Sequence, residues 1–161
     1  MRALVTGGCG FIGGHLVERF VGDGHEVVVL DNLSTGRREN VSGLSPRAAL
    51  RVVEVDVSDH KRILSYFDGV SVVFHLAGLA DIVPSIREPL HYYADNVDGT
   101  VSVLEAARAA RVRRFVYTAS SSCYGIPDIY PTAETAPIRP QYPYAFTKWV
   151  GEQAALHWGE I

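Results

Sequence analysis

The segment from Arg2 to Phe20 restricts the fold more than any other part of the chain. Arg2-Ala3-Leu4-Val5-Thr6 is a short apolar run, Gly7-Gly8-Cys9-Gly10-Phe11-Ile12-Gly13-Gly14 interrupts it, and an amphipathic stretch from His15 to Phe20 follows. A strand, a glycine turn and a helix in direct succession open a strand-helix-strand unit. Further β-branched runs at about 26–30, 50–55, 72–76 and 114–120 alternate with helical patterns. They read as strands buried on both faces, which implies a parallel sheet with right-handed crossovers and helices on its faces.

A chain of 161 residues with 47% apolar content is long enough for one well-buried domain, and we find no internal repeat. The only long proline-rich connection runs from Ile126 to Pro143. A net charge of −3 offers no basic patch, so no nucleic-acid partner is expected. The N-terminus breaks into glycine too soon for a secretory signal, and no apolar run approaches membrane-spanning length; a soluble cytoplasmic protein with no membrane partner is expected. Cys9 and Cys123 lack metal-ligand spacing and read as small buried thiols in a reducing compartment, with no metal site.

The glycine turn has the chemistry of a diphosphate cradle. Gly7 takes the tight turn, Gly10 lets backbone N–H groups approach a pyrophosphate at the helix N-terminus, and Gly13 lets the helix pack close to the sheet. The second strand, Glu26-Val27-Val28-Val29-Leu30, ends in Asp31, where a dinucleotide fold meets the adenosine ribose. A carboxylate there accepts from ribose hydroxyls and repels a 2′-phosphate, which favours NAD over NADP. Arg37 and Arg38 are the kind of residue that accepts such a phosphate, but they read as part of a solvated loop or short helix.

Tyr144 and Lys148 stand one helical turn apart in Pro143-Tyr144-Ala145-Phe146-Thr147-Lys148, so both side chains project from one face. Eight tyrosines and two lysines predict roughly 0.1 such pairs by chance. A phenol serves as a base at neutral pH only if its pKa falls by roughly three units, about 4 kcal/mol. One cation about 4 Å away, at an effective dielectric near 20, supplies about that much. An exposed helix pair is the structural alternative.

With these motifs the sequence resembles the extended short-chain dehydrogenase/reductase family, in its nucleotide-sugar epimerase/dehydratase branch, along the whole chain. The resemblance also rests on Asp31-Asn32-Leu33-Ser34-Thr35-Gly36, Asp56-Val57, His75-Leu76-Ala77-Gly78, Asn96-Val97-Asp98-Gly99-Thr100 and Ser120-Ser121-Ser122-Cys123-Tyr124-Gly125. It implies an α/β fold, a Rossmann-type doubly wound sheet of strand order 3-2-1-4-5, forming an NAD-binding domain over 1–161 without the C-terminal substrate-binding half.

By the same resemblance, Phe11 and Ile12 join the glycines at the cofactor, with Asn32, Ser34, Thr35 and Gly36 beside Asp31. Asp56 and Val57 would hold the adenine, Leu76, Ala77 and Gly78 would line the cofactor's central part, and Asn96 and Thr118 would complete that side. Asp56 can also be a turn residue before a helix beginning near Ser58, and Asn96 a buried amide satisfying a neighbouring strand. Counting back five from Gly125 selects Ser120 as the catalytic hydroxyl, with Ser121 and Ser122 as loop-forming or substrate-facing neighbours. Ser85 is a further substrate candidate.

The implied chemistry makes Tyr144 the base for a sugar hydroxyl and Ser120 a donor to the same oxygen, with Lys148 assisting the phenol and touching the nicotinamide ribose. Dehydratases and decarboxylases of this branch usually carry an acidic residue just after the catalytic hydroxyl, where this chain has Ser121 and Ser122. C4 epimerisation of a UDP-sugar through a transient 4-keto intermediate is therefore the first expectation. Ala80 replaces a lysine that simple UDP-galactose epimerases often carry, which leaves N-acetylhexosamine and uronic-acid substrates open. A dehydratase, 4-ketoreductase or dehydrogenase on the same scaffold is one alternative, and a noncatalytic NAD-binding domain is another.

Family members run to roughly twice this length, so weak NAD binding and little turnover are expected of the 161 residues alone, with the fifth strand an exposed edge. A helix over 89–111 carries two apolar sides, one through Leu90, Tyr93, Val97 and Leu104 and one through Tyr92, Val103, Ala106 and Ala110. One side faces the sheet. The other fits a homodimer built from this helix and a helix over 143–160.

Overall fold

In the computed structural model, which describes residues 1–44 and 50–161, β1 (Arg2–Thr6) lies at the centre of a parallel sheet. Around it are β2 (Glu26–Asp31), β3 (Leu50–Glu54), β4 (Val72–His75) and β5 (Arg114–Tyr117), in the order β3-β2-β1-β4-β5. β1 pairs from Arg2↔Glu26 to Thr6↔Leu30 on one side and from Ala3↔Val72 to Thr6↔His75 on the other. These registers bring the carboxyl ends of three strands to one level, which is where an open sheet of this kind forms its crevice.

Strand periodicity distributes the core. Val5, Val27 and Val29 meet Val17 and Val21 of α1 (Phe11–Gly22) on one face, while Leu4, Val28, Leu30 and Val73 meet the other face's helices. After β2 comes α2 (Glu39–Ser42), and α3 (His60–Ile63) precedes β4; then follow α4 (Ile82–Arg87), α5 (Pro89–Tyr93) and α6 (Gly99–Ala109) before β5. The last helix is α7 (Pro143–Trp158), with Pro143 in its first turn, where a missing N–H loses nothing.

Three expectations change. Burial on both faces holds for the central strands but not for edge strands β3 and β5, whose residues are half-buried or exposed; Val116 is 38% exposed. β5 ends at Tyr117 instead of continuing to residue 120, because the chain turns away into a short 3-10 turn, Ser121–Tyr124, with Ser120 Oγ accepting from the Ser122 N–H. Among the described residues, β5 has no strand on its outer side.

The helix expected over 89–111 is interrupted by a π turn, Ala94–Asp98, between α5 and α6. The wider turn shifts the helical repeat and rotates α6 relative to α5. The expected seam therefore splits: Leu90 is 85% exposed and Tyr93 is exposed, whereas Val97 and Leu104 are buried with Val103 and Ala106. Among the described residues, no helix is long and apolar enough to cross a membrane.

Candidate active site

Gly7 leaves β1 at φ +66°, and its N–H donates to the Leu30 carbonyl at 2.8 Å. A side chain at Gly13 would run into the Gly7 carbonyl oxygen and approach Gly8 Cα to 2.8 Å, so glycine alone lets α1 close against this turn. No side chain caps α1 at Gly10. The helix's first N–H groups therefore remain available at its N-terminus, where the dipole favours an anion. Phe11 and Ile12 are exposed at the rim.

The tip of β2 holds Asp31, which is buried and accepts from the Cys9 N–H at 2.9 Å and the Leu33 N–H at 2.8 Å. Asp31 thus ties the glycine turn to the loop after β2, and its oxygens keep further lone pairs. Asn32 Oδ1 accepts from the Ser34 N–H at 3.1 Å, and Gly36 lies tight against the Asp31 carboxylate. Arg38 pairs with Glu54 at 3.1 Å; neither Arg37 nor Arg38 lines the cleft that the other residues enclose.

That cleft has a volume of about 430 Å³ and runs along the carboxyl ends of the strands. Gly7, Gly10, Phe11, Ile12 and Gly13 form one end with Asp31, Asn32, Ser34, Thr35 and Gly36. Asp56 and Val57 line it beside Asn32, and Leu76, Ala77, Gly78, Thr118, Tyr144 and Lys148 line the rest.

Asp56 is both a turn residue and part of the cleft. Its Oδ1 accepts from the N–H and hydroxyl of Ser58 at 2.8 and 2.7 Å, its Oδ2 accepts from Asn32 at 3.3 Å, and it lines the cleft as well. Burial pushes its carboxyl up, but those hydrogen bonds prevail and hold it below the usual carboxylate range. The helix beyond starts at His60, two residues later than expected, capped by Asp59 accepting from the Arg62 N–H.

Asn96 is buried behind the wall instead of in it. Its Oδ1 accepts from the Leu79 N–H at 2.8 Å, while its Nδ2 donates to the Leu79 carbonyl and to Thr147 Oγ1, both at 3.0 Å. It fastens the loop after β4 to α7. Val55, Leu79, Asp95 and Ala119 also line the cleft, and sequence pattern did not single them out as site residues; Ala80, expected only to bear on substrate choice, lines it too. The π turn presents Asp95 there, and no periodic pattern announces such a turn. Burial pushes the Asp95 carboxyl up, opposed by His91, whose Nε2 is 3.6 Å away.

At the far end, the Tyr144 hydroxyl donates to Ser120 Oγ at 3.3 Å, and Ser120 Oγ lies 2.8 Å from Ser122 Oγ. Ser122 therefore orients Ser120, whereas Ser121 is exposed. Ser85 is buried and its hydroxyl donates to the Ile82 carbonyl at 2.6 Å, so it does not enter the cleft wall. Lys148 shares the wall with Tyr144, and its ammonium stands 4.3 Å from the centroid of the Tyr117 ring. Burial pushes the Lys148 amine down to about 8, partly offset by Glu152.

A parallel sheet with a glycine turn feeding an uncapped helix, an acidic residue closing the second strand and a crevice along the carboxyl ends defines a dinucleotide-binding domain of the Rossmann type. The model of the NAD dependent epimerase/dehydratase family matches residues 3–160, and the chain belongs to that family. It is 44% identical over 155 residues to the UDP-glucose 4-epimerase of Mycolicibacterium smegmatis, a match covering 94% of this chain and 49% of the relative. The UDP-glucose 4-epimerase of Brucella ovis, solved in complex with NAD, superposes with a TM-score of 0.91 at 34% identity, over 99% of this chain and 48% of that one. The UDP-glucose 4-epimerase of Thermotoga maritima, solved with UDP-glucose, gives 0.92 at 33% identity, over 99% and 52%. The chain thus spans about half the length of the relatives it matches.

Proposed function

We propose that this chain is the NAD-binding and proton-transferring part of a nucleotide-sugar epimerase, acting at C4 of a UDP-sugar through a transient 4-keto intermediate. The observation that carries the reading is the Tyr144–Ser120 hydrogen bond of 3.3 Å, formed with Lys148 in the same wall of a cleft that begins at a glycine turn. The residues fit NAD on their own chemistry. With no Cβ at Gly13, α1 closes against the glycine turn and brings its uncapped N–H groups to the cleft, and Asp31 sets a carboxylate where the adenosine ribose would lie.

NAD, when bound, supplies the hydride acceptor and donor. Tyr144 takes the proton from the sugar hydroxyl, Ser120 donates to the same oxygen, and Ser122 holds Ser120 in place for it. Lys148 contributes positive charge near the phenol and a donor to the nicotinamide ribose. Ser121 and Ser122 put no carboxylate next to Ser120, which supports epimerisation over elimination. The buried free thiols of Cys9 and Cys123 accord with a reducing, cytoplasmic setting.

A homodimer through α5 and α7 is supported by Leu90, Tyr93 and Phe146, exposed beside an apolar groove of about 460 Å³. Two measurements test the functional reading. Calorimetry of the chain with NAD⁺ should show binding, and NADP⁺ should bind more weakly. The complete gene product should interconvert UDP-galactose and UDP-glucose without net NADH, and Tyr144→Phe should end turnover while sparing NAD⁺ binding. Net NADH release with each turnover would instead support the dehydrogenase alternative.

A further inference from the structure

Tyr117, the last residue of β5, holds Lys148 at two points. Its hydroxyl donates to the Lys148 main-chain carbonyl at 3.1 Å, and its ring carries the Lys148 ammonium 4.3 Å from the centroid. Among the described residues, no carboxylate forms an ion pair with that ammonium. A ring face is the partner it has in its place.

The fit is close from two further sides. A side chain at Gly151 would collide with the Tyr117 hydroxyl oxygen and stand 3.0 Å from its Cζ, so α7 approaches β5 only because that position is glycine. On the sheet, Tyr117 pairs in register with His75, ring centroids 5.9 Å apart and 31° from parallel. His75 is itself fixed through Thr6 and Thr100.

We propose that Tyr117 is a positioning residue for Lys148, an aromatic seat that sets the approach of α7 and keeps the ammonium over the cleft. The proposal rests on the reading of Lys148 as Tyr144's partner and the cofactor's ribose contact. Burial strips water from the ammonium, and the ring face returns part of the lost stabilisation. Phenylalanine keeps that face, while leucine fills much of the volume without it.

The chain has two lysines, Lys61 exposed and Lys148, so side-chain-labelled lysine gives two resolvable NMR signals with Lys61 as internal reference. The Lys148 signal should carry a ring-current shift in the native chain and in Tyr117→Phe, and lose it in Tyr117→Leu. NAD⁺ affinity should fall about three- to tenfold in Tyr117→Leu and stay within about twofold in Tyr117→Phe. Gly151→Ala should weaken binding too, and combining it with Tyr117→Phe should recover part of the loss, because the oxygen the new methyl meets is gone.

An unshifted Lys148 signal in the native chain overturns the proposal, as does a Tyr117→Leu variant with native shift and affinity. If Tyr117→Leu does not fold, the Gly151→Ala and Tyr117→Phe combination decides, and absence of recovery counts against the seat. Lys148→Met separates the two layers. If it leaves NAD⁺ affinity unchanged, or if the native chain binds no NAD⁺, the reading of Lys148 as a cofactor contact fails, and the lysine signal alone still decides the seat.

Discussion

His75 Nε2 and Thr100 Oγ1 lie 2.9 Å apart in the core and fix the direction of a hydrogen-bond chain. Thr100 Oγ1 donates to the Asn96 main-chain carbonyl at 2.6 Å, so it accepts from His75, and Nε2 carries the ring's proton. Nδ1 is then the acceptor for Thr6 Oγ1 at 2.7 Å, which in turn accepts from the Ala77 N–H at 3.2 Å. One imidazole joins β1, β4, the cleft wall and the helix opposite.

That arrangement has no place for a second ring proton, and burial, with Lys148 adding to it, pushes the His75 imidazole down to about 3. The unfolded chain protonates this histidine near pH 6.5, so the unfolded state binds more protons below that value and stability falls with pH between about 6.5 and about 3. The loss attributable to this residue is about 2 kcal/mol by pH 5. Denaturant unfolding at pH 7 and pH 5 checks it against a His75→Asn variant, which should be less stable at pH 7 and lose less on acidification. Equal losses in both proteins would refute the assignment.

At Gly13 an added methyl group meets main chain on two sides, the Gly7 carbonyl oxygen and Gly8 Cα, and neither can swing aside as a side chain would. Gly13→Ala is expected to destabilise the fold by more than about 2 kcal/mol and to abolish NAD⁺ binding. Gly22, at the end of the same helix, has open space within 4 Å of where a methyl group would stand. Gly22→Ala should therefore stabilise by about 0.5–1 kcal/mol with unchanged affinity. Thermal unfolding and calorimetry on both variants separate packing at the turn from helix propensity.

Much of this framework is legible from local pattern, and the exceptions share a cause. Gly7, Gly13 and Asp31 are found because a turn, a close helix and a strand end each demand one residue type at one spacing. Asn96 is found, but its action through Leu79 and Thr147 depends on α7, 51 positions away in the case of Thr147. Asp95 is missed because a π turn shifts the helical phase, and the same shift splits the seam expected through Leu90 and Val97. Ser122, Ser121 and Ser85 are alike in sequence; only the fold turns one toward Ser120, one to solvent and one onto its own helix.

Asn96 makes three side-chain hydrogen bonds from a buried position, two of them as donor. Asn96→Asp keeps the shape but removes both donors and faces a carboxylate toward the Leu79 carbonyl. It is expected to cost about 3 kcal/mol or more and to weaken NAD⁺ binding by loosening the loop at Gly78 and Leu79. Thr147→Val deletes one of those partners and should cost about 1–2 kcal/mol with a smaller change in affinity. If the two variants are equally mild, the tie between loop and helix is not where the stability lies.

In its proposed role Lys148 sets function against stability. Its folded amine titrates near 8, below the ordinary lysine value, so at neutral pH the fold carries a charge that burial disfavours. The unfolded chain holds its proton more tightly, and stability should rise as pH climbs from about 8 toward 10.5. Lys148→Met is expected to raise stability at pH 7 by about 1–3 kcal/mol, to flatten that alkaline rise and to remove turnover in the complete gene product. A destabilised variant would mean that the ammonium's contacts outweigh its desolvation.

Leu90 and Phe146 supply the test of assembly. Both are exposed, they line one groove with Tyr93 and Pro143, and neither belongs to the buried core, so a charge at either position should leave the fold intact. The chain is expected to sediment as a dimer at micromolar concentration. Leu90→Glu and Phe146→Glu should each shift it to monomer, because two copies meeting across a two-fold axis would bring like charges together in an apolar seam. Thermal unfolding of the variants should stay close to that of the parent at low concentration. A parent that sediments as a monomer throughout, or charged variants that remain dimeric, would place the interface elsewhere and leave this apolar groove to a different partner.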